Sequence, residues 1–164
     1  MDEILDKMFA PELVLLNVEA SDCEDLLRIA SNHLYNHGYV TESYLDALIQ
    51  RESVYPTGLP TPGVKVALPH TTTEYALRPG ILMLNLKEPV AFKEMGNGVL
   101  DVMVDIVFVI VVSDAKEQVG VLKKMMGMFA DEQALIRIKT AASPQEAFNL
   151  LRKWIDMDAD RAMA

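Results

Sequence analysis

One histidine stands where its ring is expected to have a defined direction. The segment GVKVALPHT, residues 63–71, has the pattern of a short apolar strand that ends at Leu68 and Pro69, immediately before His70. The ring of Pro69 fixes its own φ at about −65° and moves Leu68 toward the extended region. His70 is therefore expected to leave the strand end in a fixed orientation, which a nucleophilic imidazole requires.

The residues near His70 favour phosphoryl chemistry. Arg51 precedes a loop, residues 55–63, that contains three prolines and two glycines, and Thr57 and Thr71 lie on either side of the apolar segment. A permanently charged guanidinium, hydroxyl groups and a histidine suit a transient phosphoryl group better than a metal ion or an acyl intermediate. We expect His70 to accept the phosphoryl group and Arg51, Thr57 and Thr71 to stabilise its charge.

Each histidine also has a structural alternative. A lone histidine beside a proline is often a strand terminator or a hydrogen-bonded structural residue, and this alternative stays open for His70. His33 and His37 are four residues apart on a predicted helix, which is a spacing used for divalent metals. Because no third ligand is evident and histidines are favoured near a helix C-terminus, the structural interpretation is preferred there.

The elements that must position these residues alternate between strand and helix patterns. The predicted strands cover residues 12–18, 64–68, 81–86 and 103–112, and the predicted helices follow caps at Ser21, Thr41 and Ser143 or occupy residues 118–129 and 135–138. Gly38 is expected to end the first helix, and the second helix carries Arg51 at its end. The last strand is a continuous apolar run of the kind buried on both faces. The expected fold class is α/β, with one mixed sheet of about five strands and helices on both faces.

The helix at residues 118–129 has two possible uses for its methionines. Its apolar residues recur at helical spacing and are predicted to pack against the sheet: Val119, Leu122, Met125, Met126 and Phe129. A methionine-rich surface for partner helices is the alternative. Trp154, on the helix after Ser143, is expected to anchor that helix in the core.

Composition excludes several classes of function. The 164 residues carry 15 basic and 24 acidic side chains, a formal charge of −9 that repels nucleic acid and anionic lipid. Acidic residues occupy the N-terminus in place of a signal peptide, and the longest apolar run, residues 106–112, is too short to span a bilayer. We expect one cytoplasmic domain over residues 1–164, with ends 1–10 and 157–164 that fray.

Cys23 is the only cysteine, so no internal disulfide forms, and we expect it to have a packing role.

Several ordered segments together resemble a known family. Arg51-Glu52, Pro56-Thr57-Gly58 and the run Val66 to His70 resemble the signature of EIIA components of the phosphoenolpyruvate-dependent sugar phosphotransferase system, of the fructose/mannitol type. The likeness extends to later landmarks: Phe92, Met95-Gly96, the strand at 102–112 and the helical run 118–129 followed by Ala130-Asp131. The segments Tyr55 to Leu59 (YPTGL) and Pro69 to Thr71 (PHT) are most similar to the galactitol-specific branch.

The resemblance implies a relay and contains one departure. It implies that Nε2 of His70 takes a phosphoryl group from the carrier HPr and passes it to an EIIB component that serves a membrane EIIC permease, without a cofactor. Many relatives carry a second active-site histidine where this chain has Gln118, which can donate a hydrogen bond but cannot become cationic. Gln118 is a candidate phosphate-stabilising residue, and Leu59, Pro60 and Pro62 are candidate docking contacts. A regulatory phosphohistidine protein, of the nitrogen-regulatory EIIA type, is the alternative function.

Overall fold

The computed structural model describes the backbone of residues 2–163 and the side chains of residues 5–157. In this part of the chain, two helices follow the first strand, four strands come next along the chain, and three helices follow them. Their bounds are α1 Asp2–Met8, β1 Val14–Val18, α2 Cys23–Asn36, α3 Tyr44–Val54, β2 Gly58–Leu59, β3 Val66–Ala67, β4 Gly80–Lys93, β5 Asp101–Val111, α4 Ala115–Met128, α5 Glu132–Lys139 and α6 Pro144–Met163. None of the described helices combines the length and apolar composition needed to cross a bilayer.

The strands form one mixed sheet, as the sequence predicted. Its order is β1-β4-β5-β3-β2, with β1 parallel to β4 and β3 parallel to β5, whereas β4 pairs with β5 and β2 with β3 in the antiparallel sense. The short edge strand β2 lies inside the proline-rich segment 55–63, which the sequence predicted to be a loop. The predicted α/β class with a five-stranded mixed sheet is confirmed.

Strand β5 contributes side chains to two hydrophobic core clusters, one on each face of the sheet. Its residues Ile106, Phe108 and Ile110 face the first core cluster, which α1, α4, α5 and α6 cover. The alternate residues of β5 face the second core cluster, which α2 and α3 cover. Successive side chains of a strand point to opposite faces, so a continuous apolar run is expected where both faces are buried.

Two predicted helix caps shift along the chain. Helix α2 has Asp22 as its N-cap, since the Asp25 N–H donates to Asp22 Oδ1 at 2.8 Å, and Asp25 Oδ2 accepts from the Ser21 N–H at 2.9 Å. Helix α3 begins after Ser43 and not directly after Thr41. An acidic N-cap performs the same task as the predicted serine, because either side chain can accept from the helix N-terminus.

The N-terminal segment is packed where the sequence analysis expected a frayed end. Leu5 and Met8 of α1 are fully buried and Phe9 is 5 % exposed, all three in the first core cluster. Arg152 of α6 forms an ion pair with Asp6 at 3.0 Å. This docking was not predictable because α1 has only seven residues, and its apolar side chains depend on tertiary partners. At the other end α6 continues to Met163, while Met1 and Ala164 lie outside the described residues.

The hairpin of β4 and β5 bends toward the edge strand β2. Strand β4 continues past the predicted end at Leu86, and its pairing with β5 shifts between Asn85 and Val90, as in a β-bulge. Lys139 Nζ donates to the Leu86 carbonyl and, at 2.9 Å, to Asn85 Oδ1 at this shift. Beyond it, the Met95 N–H donates to the Gly58 carbonyl at 2.8 Å, so the hairpin turn lies beside β2.

Candidate functional site

The backbone around His70 is fixed by the sheet. Strand β3 pairs with β5, and the Pro69 carbonyl accepts from the Ile110 N–H at 3.1 Å, which continues that pairing to the residue before His70. His70 therefore follows the carboxyl end of β3, at the same edge of the sheet from which α4 begins. Open α/β sheets commonly bind their ligands at such edges.

One hydrogen bond sets the tautomer of His70. Its Nδ1 lies 2.7 Å from the Leu68 carbonyl oxygen. Because a carbonyl can only accept, Nδ1 must carry the ring hydrogen, and Nε2 then carries a lone pair. No other described residue forms a hydrogen bond with the His70 ring.

The His70 side chain borders an open cleft of about 490 Å³. The end of α3, the hairpin turn and α4 form its walls, with lining residues that are mainly apolar: Val54, Tyr55, Pro56, Met95, Leu122 and Met126. Val54, Tyr55 and Met126 are exposed. The predicted docking residues Leu59, Pro60 and Pro62 do not line this cleft.

The environment keeps the His70 ring neutral. Burial is the main cause that lowers its pKa from the ordinary value of 6.5, and the nearby charge of Arg51 lowers the pKa further. The bond to the Leu68 carbonyl acts in the opposite direction but does not reverse the shift. A neutral imidazole near pH 7 has the unshared pair that a nucleophile needs.

Arg51 lies on the same side of the molecule as His70. It belongs to the last turn of α3, and its guanidinium carbon is 4.1 Å from the centre of the Tyr55 ring. Arg51 also borders a smaller cleft together with Thr71 and Thr72. Val54 and Tyr55 line both clefts, so the guanidinium and the imidazole flank the end of α3.

Thr57 is brought to the site, but its hydroxyl has another use than the predicted one. The side chain is 2 % exposed. Its hydroxyl lies 3.0 Å from both Glu52 carboxylate oxygens and accepts from the Leu68 N–H at 3.2 Å. While Glu52 is ionised, the only hydroxyl hydrogen is directed to Glu52 and cannot also bond to a phosphoryl oxygen in this geometry. The direct phosphate contact of Thr57 stays a prediction that this geometry does not favour.

Glu52 is the residue of this region whose importance the sequence did not reveal. Its side chain is 6 % exposed, and Oε1 also accepts from the Thr57 N–H at 2.8 Å. Burial raises its pKa to about 7 and outweighs the two bonds from Thr57, which act to lower it. The available signal was the pair Arg51-Glu52 next to Thr57, but burial of a carboxylate depends on tertiary packing that one sequence does not display.

Gln118 connects helix α4 to the segment that follows His70. Its Nε2 donates to the Thr71 carbonyl at 2.7 Å, and Thr71 is 7 % exposed. The structure therefore brings Gln118 and Thr71 together with His70. One hydrogen of the Gln118 amide is used in this bond, and an amide nitrogen has a second hydrogen.

The prediction for the apolar residues of α4 is partly wrong. Met125 and Phe129 are buried in the first core cluster, but Val119 is 67 % exposed and Met126 is 43 % exposed. Helical spacing identified an apolar stripe wider than the face that contacts the sheet. Leu122 packs against the first core cluster as predicted and also lines the His70 cleft, where the exposed Met126 lies beside it. For Met126 the alternative of an apolar surface fits better.

His33 and His37, at the end of α2, both have structural partners. Their rings stack with centroids 4.2 Å apart. His33 Nε2 bonds to the Glu12 carbonyl at 2.6 Å, and His37 Nδ1 bonds to the His33 carbonyl at 2.8 Å. In the described part of the chain no three His, Cys, Asp or Glu side chains are grouped as metal ligands.

Cys23 is half-buried, and burial is the main cause that raises its pKa to about 12, so its reactive thiolate form is disfavoured.

Comparison with known families agrees with the arrangement around His70. The family described as "Phosphoenolpyruvate-dependent sugar phosphotransferase system, EIIA 2" matches residues 7–154. The chain belongs to this family. EIIA components are phosphotransferases that carry a phosphoryl group on a histidine.

Curated relatives of this EIIA chain are of the mannitol type. The mannitol-specific EIICBA component of Buchnera aphidicola is 31 % identical over 85 % of this chain, which spans only 21 % of that longer protein. The mannitol-specific enzyme IIA component of Bacillus subtilis is 28 % identical over 85 % of this chain and 93 % of its own length. The likeness to the galactitol-specific branch is not confirmed by these relatives.

Solved EIIA structures share the fold. The crystal structure of IIA mannitol from Escherichia coli has a TM-score of 0.72 and 27 % identity, and the match covers 87 % of this chain and 98 % of that one. A complex of enzyme IIAMTL and phosphorylated enzyme IIBMTL from the same organism has a TM-score of 0.74 and 26 % identity, over 88 % of this chain and 97 % of that one. The nitrogen regulatory protein IIA-Ntr of Neisseria meningitidis has a TM-score of 0.74 at 21 % identity, over 90 % of this chain and 99 % of that one, and this likeness concerns the fold alone.

Proposed function

We propose that this EIIA chain accepts a phosphoryl group from phospho-HPr on Nε2 of His70 and passes it to a cognate EIIB component. The bond from Nδ1 to the Leu68 carbonyl at 2.7 Å carries this proposal, because it leaves the lone pair on the other nitrogen of a residue that borders an open cleft. Family membership supports the reaction class.

The covalent bonds that change during the transfer involve only the His70 imidazole and the phosphoryl donor. The Nε2 lone pair attacks the phosphorus of the HPr phosphohistidine, a P–N bond forms at Nε2, and the donor P–N bond breaks. The donor imidazole takes the electron pair of the broken bond. The His70 ring becomes cationic while Nδ1 keeps its hydrogen, and the Leu68 carbonyl stabilises that charge. The second transfer repeats these steps with the EIIB nucleophile as the attacking group.

Three further residues complete the proposed set. The positive charge of Arg51 is near enough to His70 to contribute to the lowering of the ring's pKa. A guanidinium is also well suited to bind phosphoryl oxygens. The Thr71 hydroxyl and the second amide hydrogen of Gln118 lie next to the residue that carries the phosphoryl group. Gln118 supplies a hydrogen bond where many relatives supply a second imidazole.

The transport system is part of the proposal. We infer a polyol system with a cytoplasmic EIIA and a membrane EIIC permease that the EIIB component serves. The relatives named above are mannitol-specific, and one of the solved structures pairs enzyme IIAMTL with phosphorylated enzyme IIBMTL. The galactitol assignment rests on the residues Tyr55 to Leu59 and Pro69 to Thr71 alone.

The experiment is a reconstituted relay. Labelled phosphoenolpyruvate, enzyme I and HPr are supplied, and acid-labile label on this chain is measured for the wild type, His70→Ala and the control His33→Ala. We expect His70→Ala to abolish labelling with an unchanged circular dichroism spectrum, while His33→Ala is labelled normally. Label that persists on His70→Ala would refute the proposal.

The acceptor is identified in a second step. Phosphorylated protein is mixed with EIIB of galactitol-specific and mannitol-specific systems, and the rate of label loss is compared. Faster transfer to the galactitol EIIB supports the galactitol assignment, and faster transfer to the mannitol EIIB replaces it. If neither EIIB nor that of another polyol system accepts the label, the regulatory function takes the place of transport.

A further inference from the structure

We propose that Glu52 and Thr57 form a buried clamp that positions His70 for phosphoryl acceptance by fixing Leu68. This inference rests on the proposed function of His70 as the phosphoryl acceptor. It makes Glu52 and Thr57 positioning residues, which act through the backbone of Leu68. Thr57 lines the His70 cleft, but its hydroxyl hydrogen is directed to Glu52.

Leu68 is held from both sides. Its N–H donates to the Thr57 hydroxyl at 3.2 Å, and its carbonyl accepts from His70 Nδ1 at 2.7 Å. Leu68 is fully buried. Leu68, which fixes the imidazole tautomer, is therefore itself fixed by Thr57, and two hydrogen bonds separate Thr57 from the His70 ring.

Glu52 gives the Thr57 hydroxyl its direction. The carboxylate accepts the Thr57 N–H at 2.8 Å and the hydroxyl at 3.0 Å, so Thr57 donates only toward α3 and offers a lone pair to Leu68. Without this acceptor, the hydroxyl at 2 % exposure must find another partner. Its rotation away leaves the Leu68 N–H without an acceptor, and a buried unpaired donor is unfavourable.

The position of Glu52 excludes direct contact with the phosphoryl group. Glu52 does not line the His70 cleft but borders a separate cleft with Cys23, Ser53 and Phe92. Cys23 packs against the second core cluster, whereas Leu122 and Met126 of the His70 cleft lie on the side of α4. The hydrogen bonds of Glu52 connect it to His70 through Thr57 and Leu68.

The test pairs disruptive variants with conservative ones. Thr57→Val and Glu52→Ala remove the clamp, Thr57→Ser and Glu52→Gln retain its acceptor and donor atoms, and Thr140→Val is a control whose hydroxyl bonds only within α5. For each folded variant, ¹⁵N NMR reports which nitrogen of His70 carries hydrogen, and the relay assay gives kcat and KM for phospho-HPr.

We expect Thr57→Val to populate both tautomers of His70 and to lower kcat by roughly 10- to 100-fold with an unchanged KM, as a misplaced reacting group does. Thr57→Ser, Glu52→Gln and Thr140→Val should keep the Nδ1–H tautomer and rates within about threefold of the wild type. Glu52→Ala should match Thr57→Val, and where it fails to fold, Thr57→Val and Glu52→Gln decide.

Two results overturn the clamp. If a folded Thr57→Val variant shows one His70 tautomer and a wild-type kcat, the clamp makes no contribution to phosphoryl transfer. A fall in kcat while the Nδ1–H tautomer stays fixed means that Thr57 does not act by fixing the tautomer of His70. Neither result affects the proposed function, which fails only if His70→Ala remains labelled.

Discussion

The direction of the His70 ring depends on the backbone on both sides of it. Pro69 limits the backbone torsions, Ile110 pairs with the Pro69 carbonyl, and Leu68 accepts the hydrogen of Nδ1. The first two restraints hold the backbone, and the Leu68 carbonyl then disfavours the tautomer in which Nδ1 carries the lone pair. The phosphoryl acceptor thus needs no general base, because the tautomer is set before the donor arrives.

Acceptance by His70 should depend on pH with a midpoint below 6.5. Burial and the charge of Arg51 lower its pKa from that value, so the ring stays neutral until the pH falls below the lowered pKa. The rate of label uptake should be constant near pH 7 and should fall about tenfold for each further pH unit below the midpoint. Because the unfolded chain takes up this proton at higher pH, the free energy of unfolding should also fall as the pH falls from about 6.5 through the lowered pKa.

Arg51→Ala and Arg51→Lys separate the two causes. Arg51→Ala should move the midpoint upward but leave it under 6.5, since burial is the larger cause. Arg51→Lys, which keeps the charge, should retain the wild-type midpoint. NMR titration of the assigned His70 signals measures both. A midpoint in the wild type at or above 6.5 would contradict the neutral, buried ring.

At this scale the sequence indicated which residues meet but not every role. His70 and Arg51 could be selected because their types suit a phosphoryl group, and Gln118 because the resemblance places a second histidine there. The bonds between Glu52 and Thr57 could not be predicted, because an exposed glutamate and a buried one are written with the same letter. Only the fold shows that the Thr57 hydroxyl has its hydrogen directed to Glu52.

The bend of the β4–β5 hairpin builds one wall of the cleft, and Gly58 permits it. A Cβ atom at Gly58 would lie 2.7 Å from the Lys93 carbonyl oxygen, a backbone atom that cannot move without the hairpin. Strand β2 and the hairpin turn therefore approach each other only because residue 58 has no side chain. The Thr57-Gly58 pair joins the clamp to the cleft wall.

Gly58→Ala should lower the free energy of unfolding by about 1 to 3 kcal/mol, as overpacking against a fixed neighbour does. Gly127→Ala is the matched control, since a Cβ there meets nothing within 4 Å and the residue lies in α4. It should raise the free energy of unfolding by about 0.5 to 1 kcal/mol. Urea unfolding measures both, and a neutral Gly58→Ala variant would mean that the hairpin is not held against β2.

The elements were predictable where a local signal exists. Ser143 caps α6 as expected, with the Glu146 N–H donating to Ser143 Oγ at 3.1 Å, and the continuous apolar run of β5 marked a strand buried on both faces. Strand β2 has two residues and carries no periodicity. The exposed side of α4 was missed because spacing does not distinguish residues that face the sheet from residues that line a cleft beside it.

On the scale of the whole molecule, the two core clusters share the strands of one sheet. Phe108 of β5 contacts the first cluster and Val107 the second. Loss of either cluster exposes one face of β5, so neither half of the structure retains its packing alone. The site depends on both clusters, because α3, which packs on the second, carries Arg51, and α4, which packs on the first, carries Gln118.

The chain should therefore unfold in one cooperative transition, and it contains a probe for each cluster. Trp154, the only tryptophan, is 4 % exposed in the first cluster, and Cys23, the only cysteine, packs against the second. Trp154 fluorescence and the reactivity of Cys23 toward a thiol reagent should give the same urea midpoint, with Cys23→Ser as the control for specific labelling. Two separate midpoints would mean that the faces of the sheet unfold independently, and Arg51 could then leave His70 while the ring remained in place.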